Sequence, residues 1–427
     1  MSTAVILFLL IALMLTGMPI SISLGLTVLS FLYLFTHVPI ESVALKLFTG
    51  IEKFEIMAIP FFILAGNFLT HGGVARRMIH FATSMVGHFY GGLGLSGVVA
   101  CALFAAISGS SPATVVAIGS ILLPAMVKAG YPMKFGAGVV TTAGGLGILI
   151  PPSIAMIIYA VATNSSIGAL FMAGVIPGLL LAVLLGVTTW YVARKNNYPR
   201  QRKASWAERW KALREAIWGV LLVVIVMGGI YSGVFTPTEA AAVAAVYAFV
   251  IAIFVYKDMQ LKDVPKVLVS SANMSAMLLY IITNAALFSF LMSYQHVPEE
   301  MAGWMLSQGL GQVGFLLMAN ILLLAAGNFM EPSSIILILA PILFPIAIKL
   351  GIDPIHFGII MTVNMEIGMC HPPVGLNLYV ASGITKMGIT ELTVAVWPWL
   401  LTMLGFLVLV TYWAPLSIWL PKALGMM

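Results

Sequence analysis

Residues 105–126 read AAISGSSPATVVAIGSILLPAM, and residues 144–153 read GGLGILIPPS. Residues 325–347 read AAGNFMEPSSIILILAPILFPIA, and residues 366–375 read EIGMCHPPVG. In both copies an apolar run breaks at small and polar residues, resumes, and then meets a second break ending in a PP pair. The linkers between them also match, GYPMKFG at 130–136 and GIDPIHFG at 351–358. Pro124 and Pro345, Gly130 and Gly351, Gly147 and Gly368, and Pro151-Pro152 and Pro372-Pro373 each lie 221 residues apart. The helices that lead each half correspond as well, LTGMPISISLGLTVLSFLYLF at 15–35 and YSGVFTPTEAAAVAAVYAFVIAIF at 231–254. The chain is an internal repeat.

Composition decides where that repeat lives. Of 427 residues, 61% are hydrophobic and 8% are charged, with a mean hydropathy of +1.08. A soluble domain carries about 25% charged residues, so a water-facing enzyme, a nucleic-acid binder and a disordered chain are excluded. Apolar runs of membrane-spanning length recur throughout, and a porin-like barrel would alternate instead. Cys101 and Cys370 both lie in apolar sequence and make no disulfide framework. The first apolar stretch, from Thr3, lacks a basic leader and a small-residue cleavage site and reads as a retained span.

Charge and crossing number set the sense of the repeat. Eight of the 20 Lys and Arg residues fall between Arg194 and Arg214, which places that loop in the cytoplasm. Trp206 and Trp210 within it suit a helix lying at the interface. In the first half, spans are expected at 3–16, 18–36, 56–72, 134–163 and 168–193, with a re-entrant hairpin at 91–128. A hairpin enters and leaves on one side, so five crossings, an odd number, invert the second half. The expected fold is therefore an all-α polytopic membrane protein of two inverted repeats, each with a re-entrant helical hairpin and a broken transmembrane helix. It has about ten full spans and two hairpins, the inverted-repeat pattern of an ion-transporter-like fold. The expected division is 1–193 for the first repeat, 194–215 for a cytoplasmic basic linker, and 216–427 for the second repeat, with its hairpin at 311–349 and broken span at 354–383. Both termini then lie outside, and Arg76, Arg77, Lys128, Lys134 and Lys257–Lys266 inside.

Broken helices at membrane depth are tolerated where they line a cavity. The first tip, Ser108-Gly109-Ser110-Ser111-Pro112-Ala113-Thr114, offers hydroxyls, helix-end carbonyls and a new helix N-terminus with a partial positive charge. Oxygen ligands of this kind suit sodium. A first ion site is expected from Ser108, Ser110, Ser111 and Thr114 with carbonyls near Gly144 and Gly147. A second is expected from Asn328, Glu331 and Ser333 with carbonyls near Gly368 and Met369. Substrate is expected between the tips, near Pro112, Pro151, Pro152, Ser153, Asn364, Glu366, Pro372, Pro373 and Asn377. Glu331 and Glu366 are acids at membrane depth, hence functional candidates or carboxyls that brace the loop. Glu239, in the first turn after Thr236-Pro237, reads as a cap. An isolated serine would bond back to its own helix; a cluster reads as a site.

No catalytic residues are expected. A lipid-acting intramembrane enzyme would need a nucleophile with a positioned base, and no such pair falls at the breaks. A scaffold without a transport path leaves the paired breaks unexplained. Cys370-His371 alone makes no metal site, and no Walker-type GxxxxGK[ST] occurs.

The segments GSSPATVVAIGSILLPAM (109–126), GGLGILIPPS (144–153), GVFTPTEAAAVAA (233–245) and EIGMCHPPVGLNLYV (366–380) resemble the large membrane (M) subunit of the tripartite ATP-independent periplasmic (TRAP) transporters. The resemblance covers essentially the whole chain and is closest to the C4-dicarboxylate type. It implies a symporter permease of the bacterial cell inner membrane, importing a small carboxylate with Na+ as coupling ion by an elevator mechanism. It also implies a small four-helix membrane subunit (Q type) and a periplasmic substrate-binding protein (P type). Because the two repeats use every span, the small subunit is expected as a separate chain. Cys370-His371 departs from the family pattern, which has a small hydroxyl residue before the PP pair.

Overall fold

Glycine and proline placed between apolar runs dictate where helices stop, and the computed structural model follows them. It describes residues 2–309, 311–372 and 375–427, and every regular element among them is helical. Eight helices are long and apolar enough to cross a membrane, or nine with the pair Met133–Leu149 and Ile154–Thr163, bent by 40°. Those eight include Ser111–Lys128 and Pro332–Lys349, the return arms of the two hairpins. The sequence count of about ten instead takes in the shorter helices Val5–Leu15 and Ile20–Phe35, and the pair Pro354–Cys370 and Leu376–Thr385. Length alone does not separate an arm from a span; the tips do.

Each tip has a local cause. Gly109, at φ 58°, closes the arm Gly92–Ser108 by donating its N–H to Ala105 O. Only glycine takes this left-handed conformation freely. Ser110 is extended, and Pro112 sits in the first turn of the return arm, where a missing N–H costs nothing. In the second copy Gln312–Gly327 ends at Asn328, and Glu331 caps Pro332–Lys349. The first broken span leaves the helix at Ile150, passes the cis peptide Pro151–Pro152, and restarts at Ser153, whose Oγ accepts from Met156 N.

The halves interlock rather than sit side by side. Ile20–Phe35 packs on Val264–Tyr294, and its counterpart Pro237–Val250 packs on Ala58–His71. Likewise Ile154–Thr163 packs on the return arm of the second hairpin, and Leu376–Thr385 on that of the first. Large apolar side chains such as Val183, Val187, Val224 and Ile321 lie exposed around the outside, as lipid-facing positions should.

The basic stretches meet at one end. Arg76 and Arg77 bond Asp258, and Arg77 also lies 3.8 Å over the Tyr256 ring. Tyr131 Oη donates to Pro199 O at 2.5 Å, and Gln201 N to Gly87 O at 3.0 Å. Residues 76–77, 131, 199–201 and 258 thus share a face. The helix that leads into the second half starts at Trp206, because Ser205 and Glu208 form a reciprocal cap. Trp206 and Trp210 therefore ride the first turns of one continuous helix, Trp206–Tyr231, and not a separate one. Thr236 and Glu239 form the same kind of cap on the next helix.

Candidate ion and substrate site

At the first tip, Ser108, Ser110 and Thr114 converge. Ser108 Oγ lies 2.8 Å from Thr114 Oγ1, and both hydroxyls donate to Ser110 O, at 3.2 and 2.9 Å. Gly147 presses onto this knot: a Cβ there would stand 2.6 Å from Ser110 O and 2.9 Å from Thr114 Oγ1. Only a glycine lets the broken span come so near the tip. Gly109 meets the PP loop, where Ile154 N donates to its carbonyl at 3.4 Å and Pro152 O lies alongside. Four expected first-site residues are thus together.

Two are elsewhere. Gly144 sits a turn away against Val115, and its carbonyl already accepts from Gly147 N at 3.0 Å. Ser111 faces the other half, accepting from Asn377 Nδ2 at 2.7 Å. Ser153 ties down its own loop by donating to Ile148 O at 2.6 Å.

At the second tip the approach is backbone to backbone. A Cβ on Gly368 would lie 2.7 Å from Gly327 Cα. With its amide nitrogen turned inward, Asn328 donates to His371 Nδ1 at 2.9 Å and to the carbonyls of His371 and Pro372 at 3.0 and 3.1 Å. Glu331 Oε1 accepts from Ser334 N and Oγ, both at 3.0 Å, so it caps its own helix. Ser333 is buried in the first turn, and Met369 O points toward Gly375. Pro373, with Val374, lies outside the described residues.

Between the two breaks lies Glu366. It is 0% exposed, neither oxygen has a hydrogen-bond partner among the described residues, and a Cβ on Gly145 would lie 2.9 Å from Oε1. An unpartnered carboxylate in such a place is costly unless a proton or cation accompanies it. Asn364 points away from the tips, donating to Asn320 Oδ1, while Asn320 donates to Thr411 Oγ1. Asn377 instead joins Ser111, Thr141 O and Cys370, and Cys370 Sγ donates to Thr141 O at 3.3 Å. Sequence reasoning missed Thr141, Gly145 and the role of Cys370. Their partners lie far off in the chain, and no local motif announces them.

Breaks from both halves therefore meet at one level: first tip on first break, first break on Glu366, second break on second tip. Hydroxyl and carbonyl oxygens cluster at the first tip, Glu331 caps the return arm at the second, and the Glu366 carboxyl lies between. Comparison with known proteins agrees with this architecture. The family described as "Tripartite ATP-independent periplasmic transporter, DctM component" matches residues 7–416. The chain is 71% identical, over 100% of both, to the C4-dicarboxylate TRAP transporter large permease protein DctM of Rhodobacter capsulatus. It is 55% identical, over 95% of each, to the protein of the same name in Pseudomonas aeruginosa. In fold alone it is similar to the Alcanivorax borkumensis YdaH transporter, described as having an unusual topology. The TM-score is 0.63 over 90% of this chain and 91% of that one, at 17% identity. With a matching family across nearly its whole length and relatives at 71% and 55% identity that are named as large permease subunits of transporters and not as enzymes, the chain belongs to the DctM component family of tripartite ATP-independent periplasmic transporters.

Proposed function

We propose that this chain is the permease that carries a C4-dicarboxylate inward across the bacterial inner membrane, coupled to sodium ions held at the two hairpin tips. The names of the relatives at 71% and 55% identity support the substrate class. The observation that carries the ionic part is the convergence of Ser108 Oγ, Thr114 Oγ1 and Ser110 O against Gly147, an oxygen cluster at a helix break. The cross-paired helices serve as the frame, and the hairpins with their broken spans move against it as an elevator. A small four-helix membrane subunit and a periplasmic binding protein complete the system. Vesicles containing all three should take up labelled succinate only with an inward sodium gradient, and the chain alone should take up little. Full uptake by the chain alone, or uptake indifferent to sodium, would overturn this reading.

The repeats are placed at 1–193 and 216–427, with the linker 194–215 in the cytoplasm and both termini in the periplasm. The shared basic face supports that sense. Cys101 and Cys370 are buried, so an introduced thiol stands out against little background. Gln201→Cys in intact cells should react with a permeant maleimide and escape an impermeant one. Labelling by the impermeant reagent contradicts the orientation.

A further inference from the structure

The helix Ala58–His71 leads from Lys53 toward Arg76 and Arg77, so Lys53 lies at the end opposite the basic face. A cavity of about 400 Å³ opens there. Its walls come from Ile40–Thr49, from Val264–Tyr294, from the second hairpin's return arm, and from the last residues of the first broken span. It therefore touches a hairpin and a broken span at once.

Two ammonium groups line it. Lys53 Nζ donates to Val161 O at 2.6 Å and to Asn164 Oδ1 at 2.5 Å. Lys46 Nζ lies 5.3 Å from the Phe290 ring centre. Among the described residues neither belongs to an ion pair. Glu55 is the acid whose charge acts on Lys53; burial lowers the lysine's pKa and Glu55 opposes that shift. Lys53 is thus held by two neutral oxygens, which accept two of its three protons but cancel little of its charge. Ser289 and Ser293 add hydroxyls to the same wall.

We propose that this cavity is an anion-binding vestibule, where a small carboxylate solute rests on Lys46 and Lys53 before it reaches the tips. The assignment rests on the transport reading above. Low-dielectric walls lined by one sign of charge concentrate counter-ions. Lysine suits a stopping place, because it attracts as a point charge without the two-pronged grip of arginine. Two cations also favour a solute with two carboxylates over one with a single carboxylate.

The test uses the chain assembled with its membrane and binding partners. Lys46→Cys should react at least fivefold faster with an anionic methanethiosulfonate than with a cationic one of similar size. Adding Lys53→Gln should bring the two rates together. Saturating succinate should slow the reaction at least threefold. Equal rates for the two reagents, or no protection by succinate, would overturn the vestibule. Lys53 also ties two segments together, so Lys46→Gln, which breaks no hydrogen bond to the protein, is the deciding variant for transport. It should raise the succinate concentration for half-maximal uptake at least threefold at unchanged maximal rate, and an unchanged value counts against the proposal. The reagent preference needs no transport. If wild-type protein moved no succinate, the substrate reading would fail while the charge of the cavity was still being measured.

Discussion

Gly147→Ala is expected to abolish succinate uptake, lowering the initial rate at least a hundredfold at saturating sodium. The added Cβ would stand 2.6 Å from Ser110 O and 2.8 Å from Ser110 C, both backbone atoms of the tip. No side chain can swing aside to make room, so tip and break must separate. Such overpacking costs about 1–3 kcal/mol, little enough for the protein to fold and assemble. A shift of a few tenths of an ångström is nevertheless enough to spoil an oxygen cluster. Gly405, within Ile389–Tyr412, has nothing within 4 Å of the corresponding position. Gly405→Ala should therefore keep full uptake and stabilise its helix by up to about 1 kcal/mol. Initial rates compared between two variants of matching chromatographic profile decide the matter. Equal activity would mean that the tip and break need not touch.

The second large effect concerns the ions. Ser108→Ala combined with Thr114→Val removes both hydroxyls of the first cluster while leaving Ser110 O in place. Losing a polar ligand in a buried site costs about 1–3 kcal/mol. The sodium concentration for half-maximal uptake should therefore rise at least tenfold, with subunit assembly intact. Ser110→Ala should change it little, since Ser110 contributes its carbonyl and its side chain makes no capping bond. Ser111→Ala should act on stability instead, by releasing Asn377. Unchanged sodium dependence in the double variant would remove the first site.

These contrasts mark how far the sequence could be read. Helix breaks were legible because Gly109, Pro112 and the PP pairs act on their own backbones, whatever surrounds them. The repeat was legible because it is a comparison of the chain with itself. That the second-half helix already begins at Trp206 was not legible from hydropathy, which is interrupted by Arg209, Lys211 and Arg214; the Ser205–Glu208 cap makes their turns helical. Side-chain partners were least legible. Ser111 and Ser110 are adjacent and alike, yet one serves the contact between halves and the other the oxygen cluster at the first tip. That difference is made by Asn377, 266 residues away. Glu331 and Glu366 looked equivalent as membrane-depth acids. Glu331 has Ser334 within reach and caps a helix, while Glu366 has no hydrogen-bond partner among the described residues.

The interlocked helices also constrain how the protein is made. Ile20–Phe35 buries Ser21, Ser23 and Thr27, and its Gly25 lies against the Asn284 side chain. Its partner, Val264–Tyr294, leaves the ribosome roughly 230 residues later, which at 5–20 residues per second is a delay of about 10–50 s. For that time the first half stands in the bilayer with a polar seam uncovered. Ser23 can wait, because its Oγ already donates to Pro19 O at 3.2 Å within its own helix; Thr27 Oγ1 has no such partner among the described residues. A nascent chain halted before residue 294 keeps that seam open, and membrane quality control meets an exposed row of serine and threonine where the finished permease presents none.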